Sequence, residues 1–162
     1  QKYLNGTAGA VKIFEKELLK EKCFFVIYGD ILFKENLNDL ISFHNTRNSI
    51  CSIYVHHRQK SNSIVKFSKT DGMITSFLER PSKNIQESAM KESDNNIGVN
   101  SSIYLINRIV LKDISKNIFL DFPKDIFPNL IKRNKIFALK IRKKRFAIDS
   151  IKQLNEARRQ FN

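Results

Sequence analysis

With 162 residues, 41% of them hydrophobic and 28% charged, the chain is long enough for one domain with a proper core and too apolar to be disordered. No apolar run approaches the roughly 20 residues of a membrane span and no signal peptide is visible, so no membrane partner is expected and the cytoplasm is the expected location. The net charge of +13 invites a nucleic-acid reading, but the basic residues are spread along the chain. The one dense run, Arg142-Lys143-Lys144-Arg145, has no aromatic-interleaved motif beside it, so no specific nucleic-acid partner is expected.

Asn5 to Ala10 is small and flexible and runs into Val11–Leu19, whose apolar positions fit a helix face. A glycine-rich turn opening a helix offers backbone N–H groups to an anion or a base edge. Cys23-Phe24-Phe25-Val26-Ile27-Tyr28-Gly29-Asp30 then reads as a central strand buried on both faces and closed by a sharp turn at Gly29. Asp30 would stand at the carboxyl end of that strand, where open α/β sheets bind ligands; it either shapes the turn or holds Mg²⁺ beside a phosphate. Asn36 reads as the cap of a helix that runs to about Asn48, with His44 on its surface or boundary.

Ile50–Val55 is the next strand, followed by His56-His57, an improbable metal pair because adjacent strand side chains face opposite ways. Ile64–Phe67 and Met73–Leu78 flank Thr70-Asp71-Gly72, a strong hairpin signal, and the second strand delivers Glu79-Arg80-Pro81. Ser82–Asn96 reads as a polar loop with room for one short helix. Ile97–Ile106 is a buried strand, Arg108–Ile114 a short helix, and Asp121-Phe122-Pro123 the capped start of another. Ile136–Ile141 and Arg145–Asp149 are strands, and Ser150 caps a final helix. Cys23 and Cys51 lie in apolar runs without CxxC spacing, as reduced core thiols do. Alternating strands and helices, with one hairpin interrupting, predict an α/β fold: a mostly parallel, mixed sheet flanked by helices.

Five segments then occur in order: Gly6-Thr7-Ala8-Gly9-Ala10, Phe25-Val26-Ile27-Tyr28-Gly29-Asp30, Ile74–Pro81, Val99-Asn100-Ser101-Ser102-Ile103-Tyr104, and Phe146-Ala147-Ile148-Asp149. Together they resemble the sugar-1-phosphate nucleotidyltransferases, in particular the subgroup that makes GDP-mannose or GDP-heptose. The resemblance implies a Rossmann-like nucleotidyltransferase fold. It also implies transfer of a nucleotidyl group, here GMP from GTP, to a sugar 1-phosphate with release of pyrophosphate, for surface-polysaccharide precursors. By motif, Asp30 and Asp149 would be the catalytic carboxylates that ligate Mg²⁺. Gly6, Thr7, Gly9 and Gly29 would bind the nucleotide. Glu79 and Asn100 would bind the sugar, and Arg80 would sit where the family has a phosphate-side Lys.

Structural alternatives stand beside these roles. Glu79-Arg80 could be an exposed strand end, Asn100 a satisfied buried amide, and Asp149 a helix cap. The sequence also departs from the family. The N-terminal signature, a glycine-rich loop with Thr-Arg and a later Pro-Lys, is absent. Either the chain is truncated or the protein is degenerate; on the first, favoured reading, residues 1–162 are expected to be a single, incomplete nucleotidyltransferase domain lacking its first βα unit and inactive alone. Arg80 replaces Lys, Ser102 a frequent Gly, and no Ile-Gly follows Asp149. Two rival readings are a metal-dependent glycosyltransferase-like nucleotide-sugar binder, which would carry Asp-x-Asp at a strand end, and a non-catalytic basic nucleic-acid-binding module.

Overall fold

A computed structural model describes residues 5–57, 62–91 and 96–161. Its axis is β6 (Ile97–Asn107), a strand of 11 residues whose apolar side chains are covered on both faces. One edge of β6 pairs antiparallel with β3 (Cys51–His56), and β3 pairs in parallel with β7 (Ile136–Lys140). The other edge is shared by two strands. β4 (Ser63–Phe67) holds Ile97 and Gly98, and β1 (Cys23–Ile27) holds Ile103 to Asn107, both antiparallel. β5 (Ile74–Glu79) completes the hairpin with β4. The sheet is mixed, as expected, but not mostly parallel: among the described residues only β3–β7 pairs in parallel. Because β6 runs against its neighbours, its own ladders are antiparallel, and β3–β7 is a parallel one.

Two cores result. On one face Tyr104, Phe122 and Phe127 pack with ring centroids 5.1–5.9 Å apart, joined by Val55, Val65, Ile74 and Phe77. Each fully buried ring contributes roughly 1.5–3 kcal/mol. On the other face Leu40 of α3 (Leu37–Thr46) packs with Tyr54, Ile103 and Leu105 of the sheet. Asn36 caps α3 as its sequence predicts, its Oδ1 accepting from Asn38 N at 3.0 Å. The Asp-Gly turn also forms: Gly72 adopts φ 81° and Asp71 Oδ1 accepts from Met73 N. Among the described residues, no helix is long and apolar enough to cross a membrane.

Several expectations are corrected. Gly6–Ala10 is not a loop: α1 (Gly6–Lys12) begins at Gly6, and a short α2 (Glu15–Leu18) follows after a break. β1 ends at Ile27, short of Gly29-Asp30, and is only partly covered, with Ile27 39% exposed. Among the described residues it pairs with β6 alone, so it is not a doubly flanked central strand. Residues 82–91 are dominated by α4 (Lys83–Lys91), and residues 92–95 of that predicted loop lie outside the described residues. His44 is buried, because helical spacing turns it inward, and its Nδ1 meets Ser52 Oγ at 3.0 Å. Burial pushes its pKa down, with the nearby Lys22 adding to the effect. Cys23 and Cys51 are both free thiols, and burial pushes the Cys51 thiol far up, as an inert core cysteine requires.

A ribbon too short to read from sequence has the largest bearing on function. β2 (Ile31–Phe33) pairs antiparallel with β8 (Arg145–Ala147), joining segments more than 100 positions apart. The backbone bond from Ile148 N to Asp30 O, 2.8 Å, extends this ladder one step further.

Candidate active site

β4 and β1 leave a gap on their shared edge of β6, and Asn100–Ser102 lies in it. Ser102 has φ 60°, and the β3–β6 ladder shifts register opposite this stretch, between Ile53 and Val55. Such bulges re-aim side chains and are common beside functional sites. The end of β1 closes the gap from one side, with Tyr28 N donating to Ser102 O at 3.1 Å. The start of β4 closes it from the other, with Ser63 Oγ accepting from Asn100 N at 3.0 Å. Glu79 pairs with Ser63 in the β4–β5 ladder, so Glu79, Ser63 and Asn100 form a row across three strands.

The Asn100 amide is partly committed. Its Oδ1 accepts from Ser102 N at 3.0 Å and its Nδ2 donates to Tyr104 Oη at 2.8 Å. An amide can make four hydrogen bonds, so half its capacity is left for a ligand. Glu79 is half-buried, and burial holds its carboxyl above the ordinary range; Arg80 and Lys124 pull it back, and Asp121 adds to the rise. A partly desolvated acceptor of this kind is suited to neutral hydroxyls. Arg80 stands apart: its side chain is 75% exposed, with Nε 3.9 Å from Glu79 Oε1 and φ 50°.

Asp30 and Asp149 are exposed, and the β2–β8 ribbon with the Ile148–Asp30 bond places their backbones near one another, Asp149 lying one position beyond Asp30's partner. α6 (Ile151–Phe161) is capped by others: Gln153 N donates to Ser150 Oγ at 3.3 Å, and Gln153 Oε1 accepts from Asp149 N at 2.9 Å. This reciprocal cap leaves the Asp149 carboxylate unspent on the helix. Among the described residues, no group of three or more His, Cys, Asp or Glu could hold a metal. Two hard carboxylates are nonetheless a fitting donor set for Mg²⁺, which keeps waters and substrate phosphate oxygens as its other ligands.

Gly29 does not need to be glycine for the fold. A Cβ there meets nothing within 4 Å, and its φ lies outside the left-handed region. The expected turn is there, Ile31 N donating to Tyr28 O at 3.3 Å, but the expectation that a Cβ would hinder it is corrected. Gly6 is the opposite case: φ is 70° and a Cβ would lie 2.5 Å from Leu120 O. The expected offer of helix N–H groups is corrected too. Ala8 N and Gly9 N donate to Leu120 O at 2.9 and 3.2 Å, and Thr7 N donates to Asp121 Oδ1 at 2.9 Å. Tyr28 joins this group. Burial raises its pKa, Thr7 and Tyr104 oppose that rise, and Asp121 and Glu79 add to it.

Sequence reasoning missed Asp121, Lys124, Tyr28 and Ser63. Asp121 was legible only as a cap for its own helix, yet it makes no side-chain cap bond there. A cavity of about 480 Å³ lies beside β8, lined by His56, His57, Lys143, Arg145 and Glu156 among others; of the motif residues it takes in Phe146 and Ala147 but none of the candidate site residues.

The model of the family described as nucleotidyl transferase matches residues 1–145. The chain belongs to that family. Among curated relatives, it is 26% identical over 138 residues to "probable mannose-1-phosphate guanylyltransferase 2" of Arabidopsis thaliana, covering 83% of this chain and 35% of that protein. It is 28% identical over 141 residues to the glucose-1-phosphate adenylyltransferase of Thermotoga neapolitana, covering 82% and 32%. The chain thus spans about a third of the length of these relatives. Among solved structures, HddC from Yersinia pseudotuberculosis, complexed with GMP-PN, superposes with TM-score 0.71 at 18% identity, covering 100% of this chain and 65% of that one. UTP-bound UGPase from Acinetobacter baumannii superposes with TM-score 0.75 at 16% identity, covering 96% and 56%. The fold is therefore that of the nucleotidyl transferases, a mixed sheet flanked by helices.

Proposed function

We propose that these residues are part of a sugar-1-phosphate nucleotidyltransferase that transfers GMP from GTP to a sugar 1-phosphate. The observation that supports this reading is that motif residues distant in sequence lie on neighbouring strands: Glu79 and Asn100 both adjoin Ser63 beside the β1–β4 gap, and the backbones of Asp30 and Asp149 lie close across the β2–β8 ribbon. In the reaction an oxygen of the sugar phosphate attacks the α-phosphorus of the triphosphate, the bond to the β-phosphate bridge breaks, and pyrophosphate leaves. Positioning and charge stabilisation carry most of such a reaction.

Glu79 and the free half of Asn100 hold sugar hydroxyls. Arg80, exposed at the strand end, reaches a phosphate rather than a buried partner. Gly29 lets the nucleotide approach the backbone, and Gly6, Thr7 and Gly9 line the nucleotide side. Asp30 and Asp149 would hold Mg²⁺, which when bound would neutralise phosphate charge. The product would feed surface-polysaccharide synthesis in the cytoplasm. The basic, glycine-rich loop of the family would lie in a longer protein, outside residues 1–162. This chain covers 65% of HddC, which supports that arrangement.

The choice of GTP rests on the likeness of the motifs to the guanylyl-transferring subgroup, while the relatives include guanylyl and adenylyl enzymes. In competition assays on the longer protein, pyrophosphate release should favour GTP over UTP and dTTP by a modest factor, roughly tenfold, since about 1.4 kcal/mol is what one or two backbone contacts supply. Equal turnover of dTTP would remove the guanylyl assignment.

A further inference from the structure

We propose that Asp121 is a positioning residue for the nucleotide: with Leu120 it clamps the first turn of α1 and ties that helix to the Glu79 side of the cleft. The inference rests on the reading above, in which α1 lines the nucleotide side. It goes beyond that reading because no motif points to Asp121.

A helix of seven residues is not stable alone, and its first N–H groups need acceptors. Asn5, at the cap position, provides no side-chain bond. The acceptors come instead from a segment 114 positions away. Asp121 Oδ1 takes Thr7 N at 2.9 Å and Thr7 Oγ1 at 3.1 Å, and Phe122 N donates back to Thr7 Oγ1 at 3.0 Å. Leu120 O takes Ala8 N and Gly9 N, and Leu120 N donates to Asn5 O at 2.9 Å. Gly6 and Gly9 make this approach possible: a Cβ on Gly9 would lie 2.8 Å from Asn5 Cβ and 3.0 Å from Ile118 O, as one on Gly6 would meet Leu120. The same segment packs on the sugar side: the helix that follows Asp121, Phe122–Ile126, lies against β5, which ends in Glu79, and the charges of Asp121 and Lys124 act on that carboxyl. One short segment therefore sets the spacing between the two halves of the cleft.

The test uses Asp121→Ala and Asp121→Val, which break the clamp, and Asp121→Asn, which keeps an oxygen to accept from Thr7, in the transferase-active longer protein. The two breaking variants should raise KM for GTP about tenfold and change kcat and KM for the sugar 1-phosphate less than about threefold, with Asp121→Asn restoring most of the loss. Amide exchange at residues 6–9 should speed up in both breaking variants while the β3 and β6 amides keep their protection. Unchanged exchange would overturn the clamp. Faster exchange with an unchanged KM for GTP, or equal losses in every kinetic constant alongside a lower Tm, would overturn the positioning role. A wild-type protein that releases no pyrophosphate would overturn the transferase reading and the nucleotide role with it, while exchange, which needs no turnover, would still decide the clamp.

Discussion

Asp30→Asn should lower kcat of the active, longer protein by on the order of 100-fold or more, with KM for GTP changed far less. Asp30 is exposed just beyond β1, and its backbone carbonyl is tied to Ile148 N, so the loop stays in place when the side chain is neutralised. The substitution is nearly isosteric and removes the negative charge that would hold Mg²⁺ beside the reacting phosphate. Asp149→Asn should act in the same sense, because Ser150 and Gln153 cap α6 without the Asp149 carboxylate. The two should be non-additive, since each removes one side of a shared site. Steady-state kinetics with Mg²⁺ varied, beside thermal unfolding to show intact folding, is the measurement. Full activity of Asp30→Asn would show that the site is misplaced.

The second large effect separates two glycines of the same motif set. Gly6→Ala should destabilise the protein by about 2–4 kcal/mol, because the left-handed backbone alone costs about 1–2 kcal/mol and the methyl would also press on a backbone carbonyl. That carbonyl is Leu120 O, 2.5 Å from the position of the added Cβ. Against a typical total of 5–15 kcal/mol, such a loss is severe. Gly29→Ala should be neutral or stabilising by up to about 1 kcal/mol, since the methyl meets nothing and the unfolded chain loses freedom. Its cost should fall on nucleotide binding instead, with affinity for GTP lowered about tenfold or more as the methyl enters space the ligand needs. Chemical denaturation and nucleotide titration on the same samples check both. A destabilised Gly29→Ala with unchanged affinity would place Gly29 in the fold and not in the site.

How far the sequence could be read follows from how local each signal is. The Asn36 cap and the Asp71-Gly72 turn bond within a few residues, so their chemistry is visible in the residues themselves. The apolar run at Cys23–Ile27 shows that a strand forms but not what lies beside it; its exposure was settled by which strands reach β6. β2 and β8, three residues each, are too short for a period and exist because they find each other. Asp121 looks like a cap and is one, but for α1 rather than its own helix, and a choice between two helices has no local signature. The motif order pointed to the candidate site, while the contacts joining its parts depend on topology.

The most direct test is pyrophosphate release by the longer protein with Mg²⁺, GTP and mannose 1-phosphate or heptose 1-phosphate, alongside residues 1–162 alone. Release is predicted from the longer protein only when GTP and a sugar 1-phosphate are both present, with none from residues 1–162. Release independent of the sugar phosphate, release from residues 1–162 alone, or none with any nucleotide and sugar pair would contradict the assignment.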